Sequence, residues 1–415
     1  MPSPPPVVAV DGRCDEWSAG QLLYSDARGD AAPGTCDLGR LWAAHTDLHL
    51  FLRLEVGLQI NIQEPSGLAL LIDADTDPTT GQADGGIGAE LVWPFGTEYG
   101  MAYRDGQATP LTHAQIGLVT APTVTSSTFE IRLDRRAHTP QGALLFAGPR
   151  LAIAFRAGPD GDRLPDAGVT LAYSLEGPPV HLPEAISLGR ADSVDLRVAT
   201  YNTWKSGLLD PKRGPAFRRI LAAVRPDVLG LEEMDPATAA PAAAWLGDLL
   251  GGTFHHAQVA DNVLLSRHPV TRVQEVGANG AFVVDPRPGL PRPMLFVVAH
   301  PPCCRRDADR QREIDQIMGF LRQARQSPGE LGLAPGAPIF VMGDMNLVGF
   351  AQQLQTLLEG EIVDRATFGP AFAPDWDGTG LADLGPPHTH APFTFTWFRA
   401  SERFTPGRLD FLLYA

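Results

Sequence analysis

The sequence predicts two domains, an all-β sandwich followed by an α+β domain, and three observations carry that reading. The chain has 415 residues, too many for one ordinary hydrophobic core. Residues 7–175 are short apolar segments between Gly, Pro and Asp turns, with little helical periodicity. From Leu196 onward the pattern changes, and strand-like and helix-like segments alternate.

Each segment has its own signal. Residues 1–6 are a Pro-rich tail. Residues 48–54, 67–72, 128–133 and 151–155 alternate or run apolar and are rich in β-branched, aromatic and leucine side chains, as half-buried strands require. Residues 176–194, with Gly177-Pro178-Pro179 and Pro183, read as a linker, because Pro and Gly resist regular structure. The second domain then spans 195–415. Strands are expected at 196–201, 228–231, 262–266, 294–299 and 409–414. Helices are expected at 212–224, ended before Pro226, and at 237–250. A third covers 308–325, with Ile314, Ile317, Met318 and Leu321 at helical spacing and Asp307 and Asp309 at its positive end. No internal repeat is visible.

Composition narrows the function classes. Hydrophobic residues make up 44% and charged residues 20%, a globular balance. A net charge of −15 opposes tight, non-specific nucleic-acid binding by the surface as a whole, while leaving room for a local basic patch. No apolar run is long enough to span a membrane. The start lacks the basic and apolar regions of a signal peptide, which leaves a cytosolic protein or a removed leader. Cys14 and Cys36 are either a bridge, which would place the protein outside the cytoplasm, or free buried thiols. For the adjacent Cys303 and Cys304 the preferred reading is a pair of small loop residues, with a vicinal disulfide and metal binding as alternatives.

The segment Ile339-Phe340-Val341-Met342-Gly343-Asp344-Met345-Asn346 carries the most chemistry. A buried strand ends in a glycine, then an Asp and an Asn two apart, which strand geometry points to one side. Four other strand ends are polar: Asn202, Glu232 with Glu233, His300, and Asp410. Phosphodiester hydrolysis needs a cation against the phosphate, a base for the water and donors for the developing charge. Glu233 and Asn202 suit Mg²⁺, which takes few oxygen ligands and keeps several waters. Asp344 suits the water, and Asn346 and His300 suit the phosphate. Singly, each residue also has a structural reading: a turn for Asn202, a solvated pair for Glu232 and Glu233, a strand-closing histidine, an Asp410–Arg408 ion pair.

Residues 195–415 resemble the endonuclease/exonuclease/phosphatase superfamily. The matching phrases are 199–204 (Ala-Thr-Tyr-Asn-Thr-Trp), 226–234, 262–270, 296–300, 342–346, 395–397 (Phe-Thr-Trp) and 407–411, in the family's order. The resemblance implies a DNase I-like αββα sandwich of four layers. It implies Mg²⁺ (or Mn²⁺) held by Asn202 and Glu233, with Glu232 where a glutamine is usual. It further implies that Asp344 activates water, that Asn346 positions water and phosphate, that His300 contacts phosphate, and that Asp410 orients a second histidine. Family members place that histidine in a Ser-Asp-His phrase beyond the Asp410 strand, whereas this sequence stops at Ala415. The expectation is a C-terminally incomplete domain and weak or no turnover in the 415-residue form. His388 and His390 precede Asp410 and are not promoted to the role. Candidate substrate contacts are Arg305, near Arg306 and Arg310, and Trp397; residues 375–380 read as a substrate-side loop.

Residues 7–175 resemble carbohydrate-binding module family 9 and DOMON-type sandwiches, through the 10–17 phrase (Val-Asp-Gly-Arg-Cys-Asp-Glu-Trp) and the 72–77 phrase with Thr80-Gly81 and Gly88-Ala89-Glu90. Asp73, Asp75, Asp77 and Glu90 are candidate Ca²⁺ ligands, since alternate acids in a turn converge oxygens. A polysaccharide or cell-surface ligand would call for exposed tryptophans, but Trp17, Trp42 and Trp93 are expected in the core. The leading expectation is an extracellular or periplasmic metal-dependent phosphodiesterase with an appended binding module. Its substrate is a phosphodiester in nucleic acid, a phospholipid head group or a sugar phosphate. The alternative is a catalytically degenerate polysaccharide- or surface-binding protein.

Overall fold

A computed structural model describes residues 8–181, 185–192, 194–285, 292–331 and 333–415. The expected tail, residues 1–6, and Pro183 of the expected linker lie outside the described residues. The chain divides into two units, Met1–Ile186 with Pro386–Arg408, and Ser187–Gly385 with Leu409–Ala415. The first therefore gains a piece expected in an unbroken 195–415 domain. Phe393 explains it: the ring is buried with Val8, Val10, Trp42 and Phe51. Val10 N–H donates to Pro392 O at 2.8 Å, and Thr405 N–H to Gln63 Oε1 at 3.0 Å.

The first unit is built on two antiparallel sheets, as its alternating segments predict. One runs Leu22–Ser25, Arg40–His45, His49–Ile60, Ser126–Asp134, Val119–Ala121. The other runs Arg163–Leu164, Arg150–Ala157, Leu68–Asp73, Leu91–Pro94, Gly100–Arg104, Gln107–Leu111, with Ala172–Ser174 also on Arg150–Ala157. Leu50, Leu52, Leu54, Phe129 and Ile131 of the first meet Leu70, Ile72, Trp93, Ile153 and Phe155 of the second in one core. Trp17, Trp42 and Trp93 are all buried, so none offers a sugar a stacking face. Cys14 and Cys36 are free thiols, which corrects the bridge reading: Cys36 lies in the inter-sheet core and Cys14 packs in the separate cluster around Trp42.

The second unit stacks two sheets. The four-stranded sheet runs Val198–Asn202, Val228–Glu232, Asn262–Ser266, His255–Val259, and its first pair is parallel. The six-stranded sheet runs Val270–Val276, Asn279–Val284, Met294–Val298, Ile339–Asp344, Asp410–Tyr414, Ala382–Asp383, with the Met294–Val298 and Ile339–Asp344 pair parallel. Alternation sorts the faces. Leu229 and Leu231 pack outward with Leu221 of helix Gly214–Val224 and with Ala242, Ala243 and Leu246 of helix Ala239–Leu250. Val228 packs inward with Phe296, Val298 and Met342. Between them, Gly230 lets the sheets approach, since a Cβ there would stand 2.9 Å from Met342 Cε and 3.3 Å from Val298 Cγ2. Helix Asp307–Gln326 buries Ile314, Ile317, Met318 and Leu321, the four spaced apolar positions. Helix Ala351–Glu359 was not expected; it is short, and its buried face carries the polar Gln353 and Thr356 beside Leu357. The fold is the four-layer αββα sandwich.

Candidate active site

Strand parity decides which side chains meet. Val198, Val228, Phe296, Val298, Phe340, Met342 and Leu412 all face the inter-sheet core. Steps of two from these positions give Thr200 and Asn202, Glu232, His300, Asp344, and Asp410. Asp344 lies opposite Asp410 in the antiparallel register, and Asn202 opposite Glu232 in the parallel one. Gly343 makes the close approach that brings Asp344 beside His300. Its φ is +139°, and a Cβ there would lie 2.0 Å from Ala299 O.

The cluster is bonded through Asn202. Its Nδ2 donates to Glu233 Oε1 and to Asp344 Oδ2, both at 3.0 Å, while its Oδ1 accepts from Trp204 N–H at 2.9 Å. Glu233 has φ +56°, which breaks strand parity and turns it away from the buried direction of Glu232. Asn346, also left-handed at φ +50°, donates its backbone N–H to Asp344 Oδ1 at 3.1 Å and its Nδ2 to Pro301 O at 2.9 Å. It thus ties the Asp344 strand end to the loop after His300.

His300 sits in a charged cage. Its Nδ1 is 3.0 Å from Asp261 Oδ2, its Nε2 is 4.0 Å from Glu233 Oε1, and its backbone N–H donates to Asn279 Oδ1 at 2.9 Å. Burial works against the imidazolium, but the Asp261 hydrogen bond and the charge of Asp344 outweigh it and lift the pKa to about 9. Burial raises the Asp344 carboxyl against the opposing pull of His300 and Asn202. Glu232 is fully buried; burial lifts it well above the carboxylate range, and the charges of Asp410 and Asp344 add to that. One Glu232 oxygen accepts from Thr200 Oγ1 at 2.6 Å, and the other has no partner among the described residues. Burial and the Asp410 charge likewise push Tyr201 up, so Asp410 acts on the same region.

Asp261, Asn279 and Thr200 are the members that strand-end reading missed. The first two stand at the beginnings of antiparallel strands, which reach the same edge as the ends of their neighbours. Asp261-Asn262 before an apolar run was the available signal; Asn262, fully buried, holds Asp261 Oδ1 at 3.2 Å. Arg305 is exposed in the loop after His300, and Trp397 belongs to the first unit. Cys303 and Cys304 form a disulfide, which corrects the reading of two small free residues. The expected loop at 375–380 is tied down by Trp376 Nε1, which donates to Ala337 O at 2.8 Å.

A hard divalent cation fits these donors. Glu233, Asn202 and Asp344 are oxygen-bearing groups gathered around one amide N–H₂. A buried, unpartnered carboxylate oxygen beside several acids also marks a place short of positive charge. In the first unit, oxygens of Asp73, Asp75 and Glu90 converge within 4.8 Å of one another. Asp77 stands outside that trio, because its carboxylate caps Thr79 N–H at 3.0 Å and Thr79 Oγ1 at 2.6 Å.

Residues 199–415 match the profile of the endonuclease/exonuclease/phosphatase family. The chain belongs to this family of phosphoester hydrolases. No curated protein matches it. Among solved structures, sphingomyelinase C from Streptomyces griseocarneus is 19% identical, covering 53% of this chain and 83% of its own, with a TM-score of 0.33. Truncated TDP2 from Caenorhabditis elegans is 18% identical over 52% of this chain and 83% of its own, TM-score 0.33. A mannosyl-6-phosphatase of Bacteroides thetaiotaomicron is 17% identical over 53% and 85%, TM-score 0.33. No helix among the described residues is long and apolar enough to cross a membrane.

Proposed function

We propose that the second unit is a phosphodiesterase dependent on Mg²⁺ or Mn²⁺. The observation that supports this best is the bridge from Asn202 to Glu233 and Asp344, with His300 beside it. Glu233 and Asn202 would hold the cation, an amide exchanging its N and O by a half-turn of the side chain. The bound cation would supply Lewis-acid neutralisation of the phosphate. Asp344, kept basic by burial, takes the proton of the attacking water. His300, charged at neutral pH, donates from Nε2 to a phosphate oxygen while Asp261 fixes Nδ1–H. Asn346 holds the Asp344 backbone end against the Pro301 loop, and Asp410 stands opposite Asp344 in register.

The test is hydrolysis of bis(p-nitrophenyl) phosphate. Weak Mg²⁺-dependent turnover is expected of this 415-residue chain, abolished by chelator and lost in Asp344→Asn. Equal rates in all three conditions would defeat the proposal. The Cys303–Cys304 disulfide supports an extracellular or periplasmic setting. The first unit is an appended module whose Asp73, Asp75 and Glu90 are the Ca²⁺ candidates; the buried tryptophans weigh against a polysaccharide-stacking role.

A further inference from the structure

The second unit contains a local reversal of charge. Between residues 204 and 225 stand Lys205, Lys212, Arg213, Arg218, Arg219 and Arg225 against one acid, Asp210, in a chain of net charge −15. Lys205 and Lys212 are the only lysines in the sequence. Lys205, Lys212, Arg218 and Arg219 are exposed, the last two on helix Gly214–Val224.

The segment starts at the candidate metal site. Trp204 donates its N–H to Asn202 Oδ1, yet its side chain is 55% exposed. Trp204, Lys205 and Ser206 are all left-handed, with φ of +46°, +59° and +51°. Three such residues in a row are costly and persist only where the surroundings hold them. Ser206 N–H donates to Glu233 O at 2.9 Å, and Arg213 donates to the carbonyls of Trp204 and Lys205. The Arg213 guanidinium also lies 5.2 Å from the indole centroid, a cation–π contact on the ring. Beyond the turn, Leu208, Pro211, Arg218, Arg219, Trp245 and Leu249 line a groove of about 610 Å³.

We propose that Trp204 and the exposed cations of residues 205–219 form a track for single-stranded nucleic acid, which holds the strand as it leaves the candidate active site. The inference rests on the phosphodiesterase reading and names its substrate class. An exposed aromatic gives a base a stacking surface, and a row of cations follows the backbone phosphates. A membrane surface would call for several apolar side chains projecting together. Among the described residues, the helix exposes one large apolar side chain, Ile220.

The test is anisotropy of a fluorescein-labelled 12-nucleotide strand in chelator, so that binding is read without turnover and independently of the phosphodiesterase assay. Arg218→Glu with Arg219→Glu is expected to weaken binding at least tenfold. The same pair should flatten the log–log salt dependence by about 1.4, the release expected for two lost phosphate contacts. Trp204→Ala is expected to weaken it about tenfold. The same charge change in the first unit, Arg104→Glu with Arg150→Glu, should stay within twofold of the unaltered chain. Unchanged binding in the Arg218/Arg219 pair, an equal loss in the control pair, or binding to phosphatidylserine vesicles without binding to the strand would overturn the proposal.

Discussion

Two groups of acids in this molecule invite comparison. Asp73, Asp75 and Glu90 of the first unit range from buried to exposed, and burial raises Asp73 and Glu90, but all three are served by one turn and its neighbours: Asp73 accepts from Thr76 N–H, Asp75 from Asp77 N–H and Thr80, and Glu90 from Ala74 N–H. In the second unit the acids Glu232, Glu233, Asp344 and Asp410, with Asn202, come from four strand ends; Asn202 Nδ2 donates to both Glu233 and Asp344, and Glu232 accepts from Thr200. Glu232 is fully buried, Asp344 is 8% exposed, and burial raises both. Burying like charges costs stability unless something compensates them. The first group is held mainly by backbone N–H groups of its own turn, whereas the second is held by side chains brought together from distant strands. That contrast is the physical reason for assigning chemistry to the second group and at most an accessory ion to the first.

The sharpest way to break the comparison is at Gly343. An alanine there must adopt a φ suited to glycine and push against Ala299 O, so Gly343→Ala should lose about 3 kcal/mol, read as a lower urea midpoint. A midpoint within experimental error of the unaltered chain would mean that the Asp344–His300 approach is not built as described.

A smaller effect is expected at Asp261. The raised His300 pKa means that the imidazolium, and whatever depends on it, is present below about pH 9 and lost as pH rises through that value. Asp261→Asn removes the hydrogen-bonded charge, so the alkaline limb of kcat/KM should move down by about one pH unit. An unmoved limb would assign it to another group. The smallest effect belongs to the surface turn. Asp75→Asn should change stability by no more than about 0.5 kcal/mol without Ca²⁺. The same change should remove any Ca²⁺-dependent rise in Tm; a flat Tm in both proteins would leave the turn as a hydrogen-bonded loop alone.

Much of this was legible in the sequence, for a reason visible in the strands. The 228–232 and 339–344 segments are apolar runs, and their period of two carries through to Glu232 and Asp344 at the end. Asp261 offered only the Asp-Asn pair before an apolar run and Asn279 no signal, because their role depends on strand direction, which periodicity does not encode. Glu233 was separable from Glu232 only through the family phrase; the left-handed φ that divides them is a backbone fact. The allegiance of residues 386–408 to the first unit was equally hidden. Phe393 looks like any apolar residue until its burial beside Trp42 and Phe51 is seen. Helix 307–326, by contrast, needed nothing beyond its own spacing.

What everything else rests on is that strand-end side chains, with Glu233 turned among them by its left-handed φ, gather around a divalent ion. A crystal structure of the chain soaked in Mn²⁺, with anomalous scattering measured at the Mn edge, addresses it directly. The expected result is an anomalous peak within coordination distance of the Glu233 carboxylate, about 2.1 Å for a hard octahedral ion, with Asn202 beside it. A map with no peak there, or with a peak only at Asp73, Asp75 and Glu90, would contradict it.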